Sequence, residues 1–213
     1  MDINLRSIRQ DYTKKGLSRN EIPDNPFLLF ELWLKEAIEG EVNEPTAVIV
    51  GTVSATGAPS TRTVLLKEIE NEQFIFYTNY SSRKAMQLSQ NPAISLSFVW
   101  HELERQVHIE GIAKRISPSI SDEYFHSRPV QSQIGARASK QSQPISSRKE
   151  LMEQVEYEQR QWKGQVIPRP DWGGVAVIAH RIEFWQGRPN RLHDRFLYEL
   201  TEEKTWDIHR LSP

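Results

Sequence analysis

Between Thr46 and Ile116 the chain alternates short β-rich runs with turn residues at regular intervals, and this punctuation restricts the fold more than any other feature. Thr46 to Val53 (TAVIVGTV) reads as a strand, Ala55 to Pro59 as a turn, and Ser60 to Lys67 (STRTVLLK) as the hairpin partner. Gln73 to Thr78 (QFIFYT) follows as a third strand, and Ala93 to Trp100 and Gln106 to Ile116 as two more. Between them Ser82 to Gln90 predicts a short helix with Ser81 or Ser82 as N-cap, stopped by Asn91-Pro92. Short strands at such spacing predict a mainly β protein with peripheral helices, built on an antiparallel barrel or sandwich.

The flanks are helical or irregular. From Pro26 the apolar residues Phe27, Phe30, Leu34 and Ile38 recur at helical spacing and Gly40 ends the run, so an amphipathic helix is expected with Trp33 and Leu34 in the core. Residues 1–24 are polar and read as an arm on the body, with Arg9 and Tyr12 as its contacts, leaving 25–213 as a single domain. Ser117-Pro118 opens a helix to about Ser127, and Ser147 with Glu150 forms a capping box for a polar helix ending near Gly164. The Gln- and Ser-rich stretch Gln131 to Ser146 suits either a linker or an ordered helix and loop. Gly174 to Ala179, Arg181 to Trp185, Arg191 to Tyr198 and Trp206 to Arg210 read as closing strands.

Composition removes whole classes of function. Lys and Arg total 27 against 28 Asp and Glu, so the bulk charge gives no general attraction to nucleic acid. With no cysteine there are no disulfides, thiolate nucleophiles or iron–sulfur sites, which suits a cytoplasmic location. No window approaches the apolar length of a membrane span. GxGxxG, GxxxxGK[ST] and GxSxG are all missing, and His101-Glu102 meets Arg105 where a zinc-protease motif needs its second histidine, so no metal site is expected.

What remains is a set of cation-rich edges. Arg62 and Lys67 bracket one strand, five residues apart and hence on opposite sides of the sheet in an extended strand, which suggests two separate anions or two parts of one large ligand. Ser82, Arg83 and Lys84 stand at a helix N-terminus, where backbone N–H groups and the dipole favour a phosphate. Arg128 ends a helix near Ser132. The segment Arg181 to Arg195 (RIEFWQGRPNRLHDR) reads as a hairpin turning at Arg188-Pro189-Asn190, with Arg191, His193 and Arg195 at period 2 on one face. Cations so gathered repel one another unless an anion lies among them, which points to a phosphorylated ligand.

Six blocks carry a family resemblance: RTVLLK at 62–67, FYTNYSSRKAMQL at 76–88, WHELERQV at 100–107, YFHSRPVQSQIGA at 124–136, SKQS at 139–142 and FWQGRPNRLHDR at 184–195. In this order they resemble the pyridoxine (pyridoxamine) 5′-phosphate oxidases, flavin enzymes of vitamin B6 metabolism. The resemblance implies an FMN-binding split β-barrel with Greek-key-like order, working as a homodimer with active sites at the subunit interface. Arg62, Thr63, Val64, Leu65, Leu66, Lys67, Tyr77, Thr78, Arg83 and Lys84 would contact FMN. Gln106, Gln141, Ser142, Trp185 and Arg195 would complete its site.

By the same resemblance Lys67, Tyr124, Arg128 and Ser132 would hold the substrate phosphate. Arg191 and His193, with Leu192, would lie over the pyridine ring as the catalytic pair, and Arg9 and Tyr12 would close the site. The implied reaction is oxidation of pyridoxamine or pyridoxine 5′-phosphate by O2, yielding pyridoxal 5′-phosphate and H2O2. One position departs: Arg137 stands where the family commonly has a bulky aromatic, which leaves the packing near Gln141 and Ser142 open. A flavin or pyridoxal-phosphate carrier without turnover, another flavin oxidoreductase on the same barrel, and an RNA-binding barrel are the alternatives.

Overall fold

A computed structural model describes residues 11–213, so the expected contact of Arg9 lies outside the described residues. Eight strands form one sheet in the order β3-β2-β1-β4-β5-β6-β7-β8. They are β1 (Ala47–Val53), β2 (Pro59–Glu70), β3 (Gln73–Asn79), β4 (Ala93–Trp100), β5 (Arg105–Arg115), β6 (Trp172–Gln186), β7 (Asp194–Leu200) and β8 (Trp206–Arg210). A further β3–β6 pairing closes the first six into a barrel, in which β4-β1-β2-β3 has Greek-key order. The expected split-barrel class therefore holds.

Contacts among the described residues divide the protein into two compact units, one of residues 11–49, 95–110 and 179–213, the other of 50–94 and 111–178. Strands β1, β4, β5 and β6 run through both. No helix among the described residues is long and apolar enough to cross a membrane.

In the first unit, α1 (Pro26–Glu39) starts with Asn25 capping the Phe27 amide and ends at Gly40. Its buried face is Phe27, Phe30, Trp33 and Ala37, whereas Ile38 is 55% exposed, so the expected stripe through Leu34 and Ile38 is corrected by about one residue. Trp33 dictates the rotation: its ring meets Phe184 edge-on at 5.2 Å and carries the Arg105 guanidinium at 4.4 Å. Burying a ring of this size outweighs burying an isoleucine.

In the second unit, α2 (Arg83–Gln90) and α3 (Pro118–Ser127) begin at serine N-caps, Ser82 and Ser117, as expected. The open stretch after Gln131 resolves as α4 (Val130–Ala138) followed by a loop. The last helix, α5 (Arg148–Gln161), is capped by Ser147, and the Glu150 carboxylate reaches back to Ser146.

Two strand boundaries differ from the sequence reading. The expected strands at 174–179 and 181–185 are one, β6, because its first half pairs with β3 and its second with β7; the apparent break marks the change of partner. The expected strand from Arg191 begins only at Asp194. Asn190 and Arg191 have φ of 57° and 62°, so the chain leaves extended geometry there. Arg191, His193 and Arg195 therefore do not share one strand face; the first two lie in the connection from β6 to β7.

Candidate active site

Strand β2 supplies one wall of a cavity of about 690 Å³ in the second unit. Its register against β3 slips between Leu66 and Glu68, leaving Lys67 as the extra residue of a β-bulge. Arg62 and Lys67 both line the cavity despite their odd spacing, because residues of both parities from Ser60 to Leu65 border it. Thr63, Val64 and Leu65 line it too, whereas Leu66 is 4% exposed in the core.

The floor is built from β3 and the start of α2. Lys84 is buried, and its Nζ donates to Thr78 Oγ1 (2.9 Å), Gln141 Oε1 (3.0 Å) and Ser82 Oγ (3.3 Å). All three acceptors are neutral, so desolvation, helped by Arg62, pushes its pKa down to about 8. Arg62 likewise finds only neutral oxygens: Nη1 donates to Thr52 Oγ1 at 2.6 Å and Nη2 to Ser60 Oγ at 2.8 Å. Burial first, then Arg83, lowers its pKa.

Gln87, which the sequence reading missed, holds this arrangement. Its Oε1 accepts from Thr52 Oγ1 (2.6 Å) and Ser60 Oγ (2.8 Å), turning both hydroxyl lone pairs toward Arg62. One signal was available, a polar residue four positions after Arg83 on the same helix face.

Trp172 was also missed. It begins β6 opposite Asn79, and its ring stacks with Tyr77 (5.3 Å) and Tyr124 (6.1 Å), which stack on each other at 3.8 Å. The Arg128 guanidinium lies over Trp172 at 4.6 Å, and its Nη1 is buried without a hydrogen-bond partner among the described residues. Burial lowers its pKa. Two adjacent glycines give Trp172 its place, since a Cβ on Gly173 would strike Tyr80 and one on Gly174 would strike Ile116.

Arg62, Lys67, Arg83, Lys84 and Arg128 thus line one cavity, and no acidic side chain among the described residues lines it. Gln141 and Ser142 also line it, Ser142 with φ of 71°, while Ser132 is not among the lining residues. The departure at Arg137 is accommodated by packing: its Nε reaches Glu158 Oε2 at 2.6 Å and its guanidinium lies 5.0 Å from the Trp162 ring centroid.

A second cluster forms within the first unit. Tyr12 meets Trp185 and His193 edge-on, each at 5.5 Å, and Trp185 and His193 are 4.5 Å apart. His193 Nδ1 accepts from the Arg188 amide (3.1 Å), so its neutral ring carries the proton on Nε2. Desolvation, then Arg191 and Arg195, lower its pKa. Arg195 pairs with Glu183 at 2.7 Å, and Leu192 is 68% exposed. Gln106 Oε1 lies 3.1 Å from His108 Nε2.

The first cavity is suited to a phosphorylated ligand with a flat ring system. Fixed cations with neutral partners lose little when an anion arrives, and each hydrogen bond to a charged group contributes about 1.5–3 kcal/mol.

Comparison with known proteins agrees with this chemistry. Residues 34–161 match the family model described as Pyridoxamine 5′-phosphate oxidase, and residues 172–213 the one described as Pyridoxine 5′-phosphate oxidase C-terminal dimerisation region. A pyridoxine/pyridoxamine 5′-phosphate oxidase of Bacteroides thetaiotaomicron is 63% identical over 99% of both chains, and one of Porphyromonas gingivalis 52% identical over 100% of both. Among solved structures, PhzG from Burkholderia lata, in complex with tetrahydrophenazine-1-carboxylic acid, superposes with a TM-score of 0.87 at 28% identity, covering 94% of this chain and 99% of its own. The chain belongs to the pyridoxamine 5′-phosphate oxidase family of oxidoreductases.

Proposed function

We propose that this protein is an FMN-dependent oxidase that converts pyridoxamine 5′-phosphate and pyridoxine 5′-phosphate to pyridoxal 5′-phosphate, with O2 as acceptor and H2O2 released. The observation that carries the reading is the cavity lined by five cations and, among the described residues, no acid, next to the stacked rings of Tyr77, Tyr124 and Trp172. Arg62 and Lys84, with Arg83 at the helix N-terminus, would hold the FMN phosphate, and Thr63 to Lys67, Tyr77, Thr78, Gln141 and Ser142 the rest of the cofactor. The residues fit the group: Lys84 has neutral partners that a phosphate oxygen can join. When bound, FMN supplies the hydride-accepting ring and its reoxidation by dioxygen.

The chain's own side chains then bind and orient. Lys67, Tyr124 and Arg128, with Ser132 nearby in sequence, would take the substrate phosphate; the Arg128 Nη1, buried without a partner among the described residues, supports this. A phosphate anchored there would restrict where the C4′ carbon can lie, so the protein's contribution is mainly positioning. Arg191 and His193, flanked by Leu192, would stand over the pyridine ring, with His193 neutral and offering Nε2–H. Trp185, Arg195 and Gln106 would complete the flavin side.

These last residues belong to the first unit and the cation cavity to the second. We read the active protein as a homodimer with sites at the subunit interface, supported by the dimerisation-region match at 172–213. The reading also includes one split-barrel domain behind an N-terminal arm, and a cytoplasmic location.

Aerobic incubation of the FMN-loaded protein with pyridoxamine 5′-phosphate tests the reaction. Hydrogen peroxide and pyridoxal 5′-phosphate should appear in equal amounts. A carrier would bind ligand and release no peroxide.

A further inference from the structure

The connection between β4 and β5 places Glu104 in the left-handed backbone region, φ 55°, which a non-glycine residue enters at a cost. Its side chain is nevertheless buried, with the residue 9% exposed. Among the described residues, its carboxylate accepts from two backbone amides of a distant segment: Thr13 N–H, at 3.0 and 2.9 Å from the two oxygens, and Lys14 N–H at 3.0 Å. The Glu104 carbonyl is fixed in turn by the Gly187 amide at 2.7 Å and by Gln186 Nε2 at 3.2 Å. The residue thus ties the segment beginning at Tyr12 to the end of β6, beside Trp185.

The neighbouring contacts serve the same docking. The Leu17 amide donates to Asp194 Oδ2 at 3.0 Å, and Arg210 holds the other Asp194 oxygen at 2.7 Å. A Cβ on Gly187 would come within 2.8 Å of the Tyr12 ring and 3.0 Å of Glu104 Cβ, so glycine at 187 leaves the space in which Tyr12 sits. A carboxylate that only shaped its own turn would have no use for burial against amides 90 residues away.

We propose that Glu104 is a positioning residue that fixes Thr13 and Lys14 and thereby seats Tyr12 against Trp185 and His193 on the substrate side of the active site. The seating follows from the contacts above; its effect on substrate rests on the function proposed above.

Trypsin digestion of the FMN-loaded protein tests it, because Lys14 and Lys15 are exposed cleavage sites whose backbone is held only while the segment is docked. Glu104→Ala should speed cleavage there about tenfold, as expected when hydrogen bonds to a charged acceptor are lost. Thr13→Pro removes one amide donor while leaving the Glu104 turn intact, and carries the test if Glu104→Ala does not fold. It should speed cleavage similarly, and the double variant should be cut no faster than the faster single one. Glu104→Gln, which keeps one acceptor, should recover part of the protection. FMN content should stay at the wild-type level while KM for pyridoxamine 5′-phosphate rises more than kcat falls. Wild-type cleavage rates in both single variants, or faster cleavage with unchanged KM, would overturn the proposal. Wild-type protein that does not oxidise pyridoxamine 5′-phosphate would overturn the proposed function instead, and leave the digestion result to be read alone.

Discussion

Arg137 Nε lies 2.6 Å from Glu158 Oε2, joining α4 to α5 immediately before the loop that carries Gln141 into the cavity. Both side chains are largely shielded, and Arg137 Nη1 also donates to the Pro168 carbonyl at 2.9 Å. Arg137→Ala should therefore destabilise by about 2 kcal/mol, lowering Tm by roughly 5 °C, and should weaken FMN retention by loosening the Gln141 loop. Thermal unfolding with and without added FMN checks both. A variant of unchanged Tm would show the pair contributes nothing.

The cavity cations give a pH dependence with a definite sign. In the folded protein without ligand Lys84 titrates at about 8, below its ordinary 10.5. Between these values the unfolded chain binds more protons, so the stability of the cofactor-free protein should rise with pH across that window. Anion binding needs the protonated form, so FMN affinity should fall as pH rises above about 8. Fluorescence titration of FMN from pH 7 to 9.5 measures this, and Lys84→Met should lower the affinity and flatten the profile.

Gln87→Leu should weaken FMN binding by about tenfold, although Gln87 itself need not touch the ligand, because Thr52 and Ser60 would no longer be oriented toward Arg62. Arg83→Ala should weaken retention too, through lost charge at the helix N-terminus. A purified Arg83→Ala protein with wild-type FMN affinity would argue against a phosphate seat there.

Substrate-side residues should separate from these. Arg191→Ala and His193→Ala should lower turnover with FMN still bound, whereas Lys67→Ala and Arg128→Ala should mainly raise KM for the phosphorylated substrate. Steady-state kinetics alongside flavin absorbance distinguishes the two patterns.

Much of this protein was legible in its sequence because local signals and tertiary structure agree. The serine caps at Ser82, Ser117 and Ser147, and the strands β1 and β3 to β5, stand where turn chemistry and alternation put them. The misreadings arose where a neighbour decides the geometry. Alternation alone cannot show that β6 changes partner midway, nor that the cavity is bordered by residues from both faces of β2, Arg62 and Lys67 among them. The period-2 pattern of Arg191, His193 and Arg195 imitated a strand, but left-handed backbone at Asn190 and Arg191 removes two of the three from it. Gln87 and Trp172 act through partners far away in the chain, which spacing does not encode.

The central claim is that a phosphorylated B6 vitamer held by the cation cavity reduces the bound flavin. Its most direct test is the visible spectrum of the purified, FMN-loaded protein under anaerobic conditions before and after adding pyridoxamine 5′-phosphate. The account predicts that the oxidised flavin band bleaches on addition and returns when air is admitted. A band that stays unchanged while the ligand binds would contradict it.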